Sequence, residues 1–182
     1  MSIDDLKKQA LLAPRIISLA ILGTLVIYVG IGYWLTKTME PMLTEPLVKY
    51  VLAFLGLCIL PASFLVKRLM LGQSRIESAI AGLSRSSPGS APRQAETAGP
   101  RGYHPAVMKL FMPALIIPLA MCETAGLLGM MIAILYGDRN FLLGLNILAG
   151  VCIILHFPWG DTLEQLQKTV DKEMMKKGMT NV

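Results

Sequence analysis

Charge is scarce in this sequence: Asp, Glu, Lys and Arg make up 16% of its 182 residues. A soluble domain carries about a quarter, because its surface must be wetted. So little charge excludes an ordinary soluble fold. Histidine and cysteine are also rare, at two and three residues. A membrane haem needs paired histidines at matched depth, and with His104 in a polar stretch only His156 lies among apolar residues. Cys58, Cys122 and Cys152 stand singly, without metal-site spacing, and read as packing residues. No phosphate-binding glycine loop and no nucleophile–base arrangement is visible. The expectation is a protein with no metal or cofactor that is not an enzyme.

What the chain has in excess is apolar surface: 54% of residues, with a mean hydropathy of +0.57. The apolar residues fall into four blocks. Ile16–Leu35 is twenty residues without a charge, and Tyr50–Val66 is seventeen, extended a little by Pro46, Leu47 and Val48. Leu110–Gly137 is twenty-eight residues with Glu123 as its single charge, and Phe141–Gly160 is twenty with only His156 ionisable. About twenty residues cross the hydrocarbon core as a helix. Helix is the form to expect, because backbone amides in lipid must be satisfied within their own segment. The sequence therefore predicts an all-α polytopic membrane protein with four transmembrane helices, as two in-out-in hairpins over 16–66 and 110–160. The first block is long for a cleavable leader, follows Asp4 and Asp5 and lacks a small-residue cleavage site, so it reads as a retained helix.

Basic residues are placed unevenly. Fourteen of the seventeen Lys and Arg fall in 1–15, 67–109 and 161–182, leaving Lys37, Lys49 and Arg139 for the other side. Basic residues are retained in the cytoplasm, so both termini and the central loop are expected there, with the chain in the plasma (inner) membrane. Tyr28, Tyr33, Trp34 and Trp159 suit interfacial anchors. The net charge of +5 suits anionic headgroups beside the membrane and calls for no nucleic acid.

In the central loop Ile76, Ile80 and Leu83 recur at helical spacing, so helix two is expected to continue past Met70. Residues 84–101 (SRSSPGSAPRQAETAGPR) have no apolar face and predict a flexible linker. In the tail, Asp161 and Glu164 have capping-box spacing with Asp161 as N-cap. Leu163, Leu166, Val170 and Met174 then draw an apolar stripe, with Gly178 as a stop. Such an amphipathic helix either lies along the membrane or docks, through 161–178, onto a partner protein or a second copy.

The hairpins look related. Ile17, Leu19, Ala20 and Thr24 recur one hundred residues later as Ile117, Leu119, Ala120 and Thr124. Gly56-Leu57-Cys58-Ile59 is likewise echoed by Gly150-Val151-Cys152-Ile153. Such a parallel repeat sets Glu123 where the first hairpin has Gly23. An acid within a span costs roughly 2.5–3.5 kcal/mol on insertion scales, so Glu123 faces protein or water and is a candidate ion or proton site. Folding helices three and four about Arg139 brings His156 to about the height of Glu123. Such a pair is either a proton-exchanging couple or a satisfied buried hydrogen bond. Pro113 and Pro118 offer breaks in the long third block. A span that starts near Pro118 leaves 110–117 at the inner interface. Gly23, Gly126, Gly129, Ala133, Asn146 and Gly150 are the helix-packing candidates, through small side chains or an interhelical hydrogen bond.

The stretch Glu123-Thr124-Ala125-Gly126-Leu127-Leu128-Gly129 resembles the carboxylate helix of rotary ATPase proteolipids. The resemblance implies that Glu123 binds and releases a transported proton or sodium ion, and it carries over no other residue. Proteolipid hairpins have outer termini, a short cytoplasmic loop and a glycine-dense partner helix, whereas helix two here has Gly56 alone. In length and layout the chain more closely resembles the uncharacterised small four-helix membrane proteins of bacteria, which implies no mechanism. Two functions stand open. One is a non-catalytic accessory, assembly or partner-binding subunit of a membrane complex. The other is a small transporter or proton- or cation-conducting protein built on Glu123.

Overall fold

The apolar blocks and the amphipathic stretches between them become six α-helices in the computed structural model, which describes residues 3–85, 105–158 and 160–176. They are α1 (Ile3–Thr38), α2 (Pro46–Met70), α3 (Gln73–Arg85), α4 (Pro105–Tyr136), α5 (Arg139–His156) and α6 (Gly160–Lys176). Four stretches are long and apolar enough to cross a membrane: Gln9–Thr38, Pro46–Met70, Val107–Tyr136 and Arg139–His156. The expected linker begins with Ser84 and Arg85, the end of α3, and the rest of it lies outside the described residues, as do Trp159 and Gly178.

Helix boundaries have local causes. Gly137 ends α4 at φ +67, a left-handed conformation that a side chain would strain, and its N–H bonds to Ala133 O at 2.8 Å. Asp138 then caps α5 by accepting from the Asn140 amide at 3.0 Å. The expected continuation of helix two is interrupted. α2 stops at Met70, Leu71 and Gly72 form a turn, and α3 is a separate helix. Asp161 sits in the first turn of α6 and is not its cap, because the helix starts one residue earlier. Its charge still suits the positive end of the helix dipole, as Lys176 suits the other. α4 runs unbroken through Pro113 and Pro118.

The chain divides into two compact units. The first comprises Met1–Arg15, Lys67–Leu115 and Pro158–Val182. Its core holds Leu11, Ile76, Ile80, Val107, Phe111, Leu163 and Val170, all buried, and α3 packs against α6. Residues 3–15 are the start of α1, with Ala10 and Leu11 in this core. The apolar stripe of α6 is covered by the chain itself: Leu163, Leu166, Val170 and Met174 are all buried. That face is not on offer to a bilayer or a partner.

The second unit comprises Ile16–Val66 and Ile116–Phe157. Gly126 and Gly129 of α4 meet Asn146 and Leu145 of α5, so these helices are antiparallel. Gly32 meets Leu142 while Leu25 meets Gly150, which makes α1 antiparallel to α5 as well. Gly56 meets Leu145 while Ser63 meets His156, so α2 runs parallel to α5. α1 and α4 therefore point one way and α2 and α5 the other, giving two hairpins of the same sense. α4 is the hub, with 44% of its most apolar window buried against 17% for α1 and 22% for α2.

Candidate functional site: two polar contacts on α4

Cys122 and Glu123 are consecutive on α4, so they point about 100° apart around its axis. They head two different contacts. Glu123 is half-buried and faces α1, where Thr24 Oγ1 and Tyr28 OH both donate to its Oε1 at 3.0 Å. The two hydroxyls are four residues apart and so share one helix face. Thr24 also reaches Ile21 O at 2.7 Å, so its single proton is divided between two acceptors. Tyr28, expected as an interfacial anchor, instead spends its hydroxyl on the acid.

His156 is 1% exposed and sits with its Nε2 2.9 Å from Ser63 Oγ of α2, beside the Phe64 ring at 4.3 Å between centroids. Ser63 Oγ also lies 2.6 Å from Leu60 O. A serine hydroxyl has one proton to give, and Leu60 O and the His156 ring both lie within its reach, so the direction of the Ser63–His156 bond is set by the imidazole tautomer. Cys122 Sγ approaches the same serine oxygen at 3.7 Å, and Cys152 lies next to Cys122.

Glu123 and His156, matched by height in the sequence, thus take different partners, the acid from α1 and the imidazole from α2. Height leaves rotation about the helix axis undetermined. The same rule, applied one residue earlier, pairs Cys122 with His156, each seventeen residues from Arg139.

The α4–α5 seam explains most of the packing candidates. Asn146 Nδ2 donates to Gly126 O at 3.1 Å and to Leu142 O at 2.8 Å. A Cβ on Gly126 would collide with the Leu25 side chain and come 2.9 Å from Asn146 Oδ1, which is buried without a hydrogen-bond partner. A Cβ on Gly129 would meet Leu145 Cβ at 3.0 Å and Phe141 O at 3.2 Å. Ala133 is fully buried, while Gly150 has only ordinary contacts at 3.9 Å. Gly23 is different. It is exposed with nothing within 4 Å of its Cβ position, because α1 turns Ser18 and Leu25 inward and leaves this glycine outside.

Where α4 turns into α5, the sparse basic residues are all engaged. Lys49 Nζ pairs with Asp138 at 3.0 Å, and Arg139 Nε bonds to Thr36 Oγ1 at 3.0 Å. Arg139 and Lys37 each lie 4.9 Å from the centre of the Tyr33 ring. Burial pushes the Asp138 carboxyl up, but hydrogen bonds from Lys49 and from the Asn140 amide outweigh it and hold the group below the usual carboxylate range.

Among the described residues no group of three His, Cys, Asp or Glu side chains is arranged to hold a metal ion. Comparison with protein-family models, with curated proteins and with solved structures finds no match to this chain.

Proposed function

We propose that the chain is a non-catalytic integral membrane subunit that works by holding other protein within the bilayer, with both ends on the cytoplasmic side of an inner membrane. One observation carries this reading: Glu123, His156 and Asn146 are each turned onto hydroxyls or carbonyls of the chain's own helices. A reactive site needs polar groups aimed at a ligand, and these are aimed at their own helices. The orientation rests on the fourteen basic residues of 1–15, 67–109 and 161–182 against three elsewhere. The partner is a membrane helix of another protein or of a second copy, received on α1 and α2, which keep most of their apolar surface uncovered. The tail contributes through its polar face, since its apolar one is occupied.

In a mild detergent the purified chain should have a protein mass, by light scattering, above the 19.8 kDa of one protomer. Reconstituted in liposomes, it should pass protons no faster than protein-free vesicles. A bare monomer in every mild detergent overturns the reading, and so does a proton flux that Glu123→Gln abolishes. That flux would establish the second reading, a small conducting protein. Its support is the half-buried carboxylate with two hydroxyls on one oxygen.

A further inference from the structure

The polar side of α6 has its own organisation. Lys168, Lys172 and Lys176 recur every four residues and remain exposed while the apolar stripe beside them is buried. With Glu173 they form one wall of a cleft of about 510 Å³ whose other wall includes Leu71 and Gln73. Charge balance decides what fits. Lys176 is bonded to Glu173 at 2.6 Å, and Asp171 accepts from Gln167 at 2.8 Å. Among the described residues Lys168 and Lys172 take part in no salt bridge. Like charges four apart on a helix repel one another. Among the described residues, the cleft therefore holds two lysines that stand outside any salt bridge. A neighbouring cleft of about 280 Å³, lined by Arg75 and Lys109, adds to the positive potential.

The chain itself indicates the source of the anion. Leu71 directly follows Met70, the last residue of a candidate membrane span, so this wall begins within a few residues of the end of the apolar segment at Val66. Basic side chains at that level meet the phosphates of the surface lipids. We propose that the α3–α6 cleft binds the phosphate of an anionic phospholipid, with the Lys168 and Lys172 ammonium groups on the phosphate and Leu71 against the apolar part of the lipid. Lysine serves such a site as a compact point charge. The inference does not depend on whether the chain is an accessory or a conducting protein.

The test uses the full chain in nanodiscs of mixed phosphatidylglycerol and phosphatidylcholine, with retained lipid counted by native mass spectrometry. The wild type should keep one phosphatidylglycerol in preference to phosphatidylcholine. Lys168→Gln with Lys172→Gln should weaken that retention about thirtyfold, the worth of two lysine contacts near an anionic surface. Lys168→Arg with Lys172→Arg should preserve it. Equal retention of both lipids by the wild type overturns the proposal. So does undiminished retention by the glutamine variant, or loss in both double variants. Displacement of the lipid by millimolar inorganic phosphate makes free phosphate the ligand and overturns the lipid assignment.

Discussion

The contacts headed by Cys122 and by Glu123 start from adjacent residues, yet they differ in how completely they are closed. Beside Cys122, Ser63 is 0% and His156 1% exposed. Ser63 Oγ bonds both to Leu60 O and to His156 Nε2. Beside Glu123 the groups are half-buried, two hydroxyls share one oxygen, and Thr24 divides its proton with its own helix. Lipid offers no hydrogen bonds, so a polar side chain in a span needs a protein neighbour. By that measure the contact at Glu123 is the less enclosed of the two.

Substitution should separate the two contacts, most strongly on the closed side. His156→Ala empties a fully buried ring site and removes one partner of Ser63, and should cost about 3 kcal/mol in reversible unfolding by SDS titration. A loss under about 1 kcal/mol would show that this contact is not the tighter one. Ser63→Ala keeps the packing but removes the hydroxyl partner of His156 Nε2. It should cost about 1–2 kcal/mol, read in the same titration. Glu123→Gln keeps an acceptor toward Thr24 and Tyr28, and membrane hydrogen bonds average about 0.6 kcal/mol, so its shift should be no larger. A loss matching that of His156→Ala would erase the contrast between the contacts. The smallest effect belongs to Asp138. Its folded carboxyl is held low, so its bond with Lys49 stabilises at pH values above the usual carboxylate range. That stability is lost as pH falls through the lowered value. Lys49→Gln should flatten the acid end of the thermal-stability profile, and an unchanged acid slope would remove this contact from the account.

The four spans were legible because length and apolarity are properties of the chain read in order. So was the apolar periodicity of Ile76 and Ile80, both of which are buried. The separation of α3 from α2 was legible in principle. Gly72 interrupts the stretch, and glycine lowers helix stability wherever it falls. The partners of Glu123 were marked only faintly, by two hydroxyl residues, Thr24 and Tyr28, four apart on a helix otherwise made of apolar residues. Gly23 misled. A glycine on the outside of α1 looks the same in sequence as Gly126, which is pressed between Leu25 and Asn146. The tail misled in a different way. Its stripe correctly marks a buried face, but periodicity does not say whether a bilayer, a partner or the chain itself provides the cover.

By itself the sequence determined where this protein can cross a membrane, where its helices turn and which few polar residues need an explanation. Those properties are local, set by transfer free energies and backbone hydrogen bonding within single segments. The tertiary structure alone decided that Glu123 goes to α1 and His156 to α2, that Ser63 bonds to His156, and that α6 spends its apolar face on its own chain with its lysines turned outward. Each of these depends on the rotation of one helix against another. That rotation is fixed by the fit of side chains such as Leu25, Leu145 and Asn146 against the glycines of α4, and by no single segment.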